Sequence, residues 1–162
     1  MEQYIGVKMI NAKPMTRAEY NTFRGWQLPA DENGDDAGFL VEYLDGGKGN
    51  TDLYAGYVSW SPAEVFHNAY SPTNGMTFGL AIEAMKKGLK VARSGWNGKG
   101  MCLYYVPGGA YPAVTDAAKS IFGENALVPY LGYIAMKTVT DQVVPWLASQ
   151  TDMLSNDWSI VQ

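Results

Sequence analysis

Cysteine and histidine are almost absent from this sequence. Cys102 and His67 are the only residues of their types in the chain. An intrachain disulfide needs two cysteines, and the usual zinc sites need a larger set of Cys and His ligands. The composition therefore excludes a disulfide framework, and we expect neither a metal nor a cofactor. Cys102 itself is predicted to be a buried small hydrophobic residue.

Long apolar runs and long basic runs are also missing. No segment approaches the roughly 20 apolar residues of a membrane span, and Met1–Tyr4 lacks the positive start of a signal peptide. The net charge is −4, and the longest basic cluster contains only Lys86, Lys87, Lys90 and Arg93. Such a cluster is too short to follow a nucleic-acid polymer but suits one or two phosphates of a small ligand. We expect a cytoplasmic protein without a membrane, DNA or RNA partner.

Aromatic residues, in contrast, are plentiful. They make up 13% of the chain, with 11 Tyr and 5 Trp, within a hydrophobic fraction of 47%. This is enough apolar material for a packed core, and the excess of Tyr and Trp suits a surface that stacks flat ligands or binds a protein.

Turn-forming residues at positions 70–75 indicate a break in the chain. We predict two small domains, residues 1–70 and 76–162, joined by a linker at 71–75. Both segments mix short helices with strands that look antiparallel, so the predicted fold class is α+β.

In the first segment, Thr16 and Glu19 form a capping-box pattern, and Ser61 precedes a proline at a second helix start. The predicted elements are a strand over 4–10, a helix from Thr16 to about Gly25, strands over 39–44 and 56–60, and a helix from Ser61 to about Tyr70.

In the second segment, Thr77 is the predicted cap of a helix that ends at Gly88. The other predicted elements are strands over 90–93, 101–106, 130–137 and 142–146, an insertion over 107–125 with a short helix at 115–122, a closing helix over 152–158, and an edge strand at 159–161.

The loop Gly95–Gly100 allows two interpretations. Asn-Gly favours a plain hairpin turn. Alternatively, the amides near Gly98 and Gly100 bind an anion with help from Lys99 or Arg93, while Trp96 stacks on a base. The spacing matches neither a P-loop nor a dinucleotide-binding fingerprint.

The segment after Trp146 also allows two interpretations. In the first, a strand ends here and is followed by a helix that is capped by Thr151 or Asp152. In the second, the side chains of Ser149, Gln150 and Asp152 form hydrogen bonds with the edge of a purine base. Asp152 and Asp157 would point in different directions on one helix, so no residue is assigned a catalytic role.

Five stretches in this order resemble the Thoeris anti-defence family of phage and prophage proteins. They are Met76–Gly88, Lys90–Met101, Pro129–Tyr130, Ile134–Thr138 and Val144–Trp158. The resemblance covers residues 76–162, roughly half of the chain. Residues 1–70 are additional and resemble small domains of other phage proteins.

The resemblance implies a non-enzymatic sponge that binds a cyclic ADP-ribose-type messenger from a TIR-domain enzyme, in the host bacterial cytosol. It also implies a homo-oligomer, a tetramer by analogy. Alternatives are a sponge for cyclic oligonucleotides, a hydrolase using Asp152, Asp157 or Glu83, and a protein-interaction or toxin-like protein. The candidate ligand-binding residues are Arg93, Trp96, Asn97, Gly98, Lys99, Trp146, Ser149, Gln150 and Asp152.

Overall fold

The computed structural model describes residues 1–162, which divide into two compact units, Met1–Ser71 and Pro72–Gln162. The chain forms five helices and ten strands, and every strand pair is antiparallel. The predicted α+β class is therefore confirmed, while the division into two domains stays a prediction. No helix is both long and apolar enough to cross a membrane.

The first unit is a three-stranded sheet with two short helices. Its strands are β1 (Ile10–Pro14), β2 (Gly38–Tyr43) and β3 (Tyr57–Pro62), in the order β1-β2-β3, and its helices are α1 (Arg17–Arg24) and α2 (Ala63–Ala69).

The predicted capping box starts α1. The Thr16 hydroxyl accepts a hydrogen bond from the backbone N–H of Glu19, and the Glu19 carboxylate accepts one from the N–H of Thr16. The helix ends at Gly25, whose φ of +67° suits glycine. Tyr20 on α1 packs with Leu40 and Val58 to form the core of this unit.

Two predictions for the first unit are wrong. The apolar run over 4–10 is not a strand, because Ile10 already pairs with Tyr43 at the end of β2 and no partner strand lies beyond. Ser61 does not cap α2, because it still pairs with Phe39 inside the sheet. Pro62 is the cap residue and makes no side-chain capping bond.

The second unit contains a five-stranded sheet and a separate hairpin. The sheet has the order β10-β4-β5-β8-β9, and the hairpin consists of β6 and β7. The strands are β4 (Lys90–Arg93), β5 (Cys102–Val106), β6 (Gly109–Pro112), β7 (Leu127–Tyr130), β8 (Tyr133–Lys137), β9 (Val143–Pro145) and β10 (Trp158–Val161), and the helices are α3 (Phe78–Lys86), α4 (Asp116–Phe122) and α5 (Gln150–Met153).

Helix α3 covers the sheet and begins as predicted. The Thr77 hydroxyl accepts a hydrogen bond from the N–H of Leu80, and Gly88 follows the helix with a φ of +85°. Met85 of α3 packs on Leu103 of β5 and on Trp158, which is fully buried. The core of this unit therefore lies between one helix and the central strands.

The predicted closing helix over 152–158 is wrong. Ser149, rather than Thr151 or Asp152, caps the four-residue α5, and the chain then turns into β10. Two interactions favour the strand: Trp158 pairs with Arg93 of β4 and is fully buried there, and its indole N–H donates a hydrogen bond to the carbonyl of Asp152.

The insertion over 107–125 was only partly predicted. The short helix predicted at 115–122 forms as α4, and the structure adds that Thr115 is its cap. The hairpin of β6 and β7 was missed, and Tyr130 belongs to β7 rather than to the strand predicted over 130–137. Pairing between residues about 20 positions apart leaves no local sequence signal.

Candidate functional site

Three tryptophans of the second unit pack against one another. Trp96 follows β4, Trp146 follows β9, and Trp158 starts β10. The ring centroids of Trp96 and Trp146 are 6.2 Å apart, and those of Trp96 and Trp158 are 5.5 Å apart. Edge-to-face angles of 61° and 78° let the rings support each other. Trp158 is buried, whereas Trp96 and Trp146 remain half-exposed, so the two predicted residues offer aromatic surface on a rigid base.

Arg93 lies beside this cluster between two carboxylates. Its Nη1 atom is 2.8 Å from Asp152 Oδ1, and its Nε atom is 2.8 Å from Asp157 Oδ1. The hydrogen bonds to Asp157, and to a lesser extent those to Asp152, raise the pKa of the Arg93 guanidinium. The side chain is only 16% exposed. Arg93 therefore has its charge matched within the protein and serves to hold two elements together.

Both carboxylate oxygens of Asp152 accept hydrogen bonds within the protein. Oδ1 accepts from Arg93 Nη1 and, at 3.3 Å, from the indole N–H of Trp96. Oδ2 accepts from the hydroxyl and the N–H of Ser149, at 2.6 and 3.2 Å. Burial alone would raise the pKa, but the hydrogen bonds from Ser149, Arg93 and Trp96 outweigh it and lower the pKa to about 2. Asp152 thus orients Trp96.

Asp157 is a site residue that the sequence interpretation missed. Besides Arg93, it accepts hydrogen bonds from the hydroxyl of Ser94 and the N–H of Gly95, at 3.2 and 2.9 Å. The expected divergence of Asp152 and Asp157 on one helix is wrong, because both carboxylates bind Arg93. The missing signal was the pairing of Trp158 with Arg93, which sets Asp157 beside the loop.

The loop Gly95–Gly100 therefore already holds an anion, the carboxylate of Asp157, at its start. Further along, a side chain at position 98 would collide with Met101 and Val139, so Gly98 is needed for close packing. The N–H groups of Gly98 and Gly100 donate to no acceptor in the protein.

Three other candidate side chains are open to a ligand. Asn97, Lys99 and Gln150 are exposed and form no side-chain hydrogen bond or ion pair within the chain. Ser149 differs, because its hydroxyl caps α5 and binds Asp152. The candidates thus separate into residues that build the site and residues that are free to contact a ligand.

Acid should weaken this site within a defined pH window. The pKa of Asp152 falls from 3.8 to about 2 on folding. Its carboxylate therefore contributes stability above about pH 4, and that contribution is lost as the pH falls through about 2. We expect Asp152→Asn to lower the free energy of unfolding at pH 7 by on the order of 1 kcal/mol and to flatten its decline between about pH 4 and 2. Urea denaturation at a series of pH values measures both; parallel profiles for the two proteins would contradict the assignment.

Comparison with known proteins matches the unit that carries this site. A family model described as a Thoeris anti-defense 2-like domain covers residues 76–161, a range that includes the stretch over 107–125. A curated protein named Thoeris anti-defense 2, from Bacillus phage SP01, is 41% identical over 87 residues, which are 53% of this chain and 94% of that protein. The chain therefore belongs to the Thoeris anti-defense 2-like family.

Proposed function

We propose that the chain is a phage anti-defence protein that binds and sequesters a cyclic ADP-ribose-type nucleotide without degrading it. The observation that carries the proposal is the family match over residues 76–161, reinforced by a relative named for Thoeris anti-defence. A sponge of this kind acts in the host cytosol, where it keeps the messenger from its effector.

The arrangement of the site supports a nucleotide ligand. The half-exposed rings of Trp96 and Trp146 provide stacking surface for adenine, worth about 1–3 kcal/mol per base. The free amides of Asn97 and Gln150 suit the edges of a base or a ribose. We place the adenine against the tryptophan pair and the sugar edges toward these amides.

We place the pyrophosphate of the ligand against Lys99 and the free N–H groups of Gly98 and Gly100. Lys99 is preferred over Arg93, because two aspartates already neutralise Arg93. In this proposal the ligand does not contact Arg93, Ser149 or Asp152 directly. These residues hold Trp96 and the loop Gly95–Gly100 in position.

The carboxylates of the site support binding without hydrolysis. Hydrogen bonds chiefly from Arg93 lower the pKa of Asp157, and the pKa of Asp152 is about 2. Carboxylates held so firmly in the ionised form are weak bases at neutral pH. Glu83, a third candidate for catalysis, is 3.0 Å from Lys86 in a surface ion pair.

Lys99 gives a direct test of the phosphate placement. We expect Lys99→Ala to weaken messenger binding about 10-fold in isothermal titration calorimetry, because a charge-assisted hydrogen bond is lost. Lys48→Ala is the matched control, since Lys48 is also exposed and without a partner, and it should bind like the wild type. Equal affinities of all three proteins would contradict the placement.

A homo-oligomer belongs to the same proposal. Strands β6 and β7 and the helix α4 between them expose large apolar side chains, among them Tyr111, Ile121, Phe122 and Leu127. Clustered apolar exposure of this kind is typical of an interface. Light scattering after size-exclusion chromatography should give the mass of a tetramer rather than 17.7 kDa; a monomeric mass would overturn this part.

A further inference from the structure

The first unit contains a cavity of about 430 Å³ that no proposed role uses. It lies between α1, the segment that follows this helix, and β3. Arg17, Asn21, Trp26, Gln27, Glu32 and Trp60 line it. The volume falls within the roughly 300–1,000 Å³ range of small-molecule sites. All of these residues precede the part of the chain that the family model matches.

Trp26 forms one wall and is held in place although it is exposed. Its backbone N–H donates to the carbonyl of Asn21 at 2.8 Å, directly after the left-handed Gly25 that ends α1. The Arg24 guanidinium lies over the indole, 4.6 Å from its centroid, and Tyr20 meets it edge-on. The ring is still 55% exposed, so a fixed aromatic surface faces solvent at the cavity.

Trp60 forms part of the opposite lining and is equally fixed. Its indole N–H donates to the carbonyl of Met15 at 2.8 Å, and the Arg17 guanidinium lies 4.5 Å from its ring centroid. Arg17 also binds Glu32 at 2.8 Å and Asp36 at 3.2 Å. The one cation among the lining residues is therefore neutralised by two carboxylates; Arg24, which stacks on Trp26, is not among the lining residues.

Two further lining residues, Gln27 and Asn21, carry side-chain amides. Gln27 is exposed and forms no side-chain hydrogen bond. Asn21 donates its amide N–H to the carbonyl of Arg17, which leaves its own carbonyl oxygen free. Side-chain amides offer the paired donor and acceptor that the edge of a nucleobase requires.

We propose that this cavity binds a neutral nucleobase or nucleoside. The base stacks on Trp26, since aromatic side chains bind any base by its π-face, and the amides of Gln27 and Asn21 contact its edge. Arg17, the cation that lines the cavity, is already neutralised, which favours a nucleoside over its phosphorylated form. The proposal rests on the first unit alone and is independent of the messenger site.

Fluorine NMR of the full chain separates the two sites. With 5-fluorotryptophan incorporated, the 5 tryptophans give one resonance each. The variants Trp26→Phe, Trp60→Phe, Trp96→Phe and Trp146→Phe assign four of them and, by elimination, that of Trp158. Adenosine, guanosine, cytidine and uridine are titrated one at a time. We expect at least one nucleoside to shift the Trp26 resonance saturably, while the buried Trp158 does not move.

Paired glutamine variants test the contact with the base edge. Gln27→Ala should weaken the saturating nucleoside about 5- to 10-fold, whereas Gln3→Ala, an exposed glutamine outside the cavity, should bind like the wild type. No saturable shift of Trp26 with any of the four nucleosides would overturn the proposal. Shifts confined to Trp96 and Trp146 would overturn it too, as would identical affinities for the two variants.

Discussion

Trp96→Ala should lower the affinity for a cyclic ADP-ribose-type messenger by about 10- to 100-fold, the loss expected when one stacking surface disappears. The indole also fixes its own orientation through the hydrogen bond to Asp152, so the alanine variant loses both the ring and its alignment. Trp96→Phe keeps an aromatic face and should fall between the wild type and Trp96→Ala. Isothermal titration calorimetry measures all three affinities.

The control must separate binding from stability. Trp96 packs on the core of its unit, so each variant needs a thermal melt to show that it is folded at the temperature of titration. Trp26→Ala, in the other unit, removes a more exposed indole and should leave messenger affinity unchanged. Wild-type affinity in a folded Trp96→Ala protein would mean that the messenger binds elsewhere.

Arg93→Ala should destabilise the second unit by about 2–3 kcal/mol, because two carboxylates lose their shared cation while they stay largely shielded from water. Side-chain exposure is 16% for Arg93, 13% for Asp152 and 30% for Asp157. Arg93→Lys should recover only part of this loss, since one ammonium group cannot reproduce the separate Nε and Nη1 contacts. Urea denaturation at neutral pH gives the free energy of unfolding.

Lys86→Ala is the matched control for this loss. Lys86 forms an exposed ion pair with Glu83 on α3, and such pairs contribute at most about 0.5 kcal/mol. If Arg93→Ala lowered the free energy of unfolding by no more than Lys86→Ala does, the ion pairs of Arg93 would not be what holds the loop Gly95–Gly100 and β10 together.

Local sequence signals located most helices. Thr16 with Glu19, Thr77 and Thr115 each mark a helix start, because a capping side chain and its backbone partner lie within three residues of each other. The residue patterns at 90–93 and 101–106 also predicted β4 and β5, the strands that flank the loop at Gly95–Gly100.

Features that depend on pairing across the chain could not be predicted in this way. The run over 4–10 has the composition of a strand but no partner strand. Strand β6 pairs with β7, but no local sequence pattern predicts that pairing. Asp157 looks like a surface residue until Trp158 is placed opposite Arg93. For the same reason the sequence named Arg93 and Asp152 as ligand contacts, while the structure shows them bound to each other.

A capture-and-release measurement distinguishes sequestration of the messenger from its cleavage. The purified chain is mixed with the cyclic ADP-ribose isomer made by a TIR-domain enzyme, the filtrate is analysed by mass spectrometry, and the retained protein is then heat-denatured. The account predicts that the messenger disappears from the filtrate and returns intact on denaturation. Release of altered products would make the chain an enzyme, and a messenger that stays in the filtrate would contradict binding altogether.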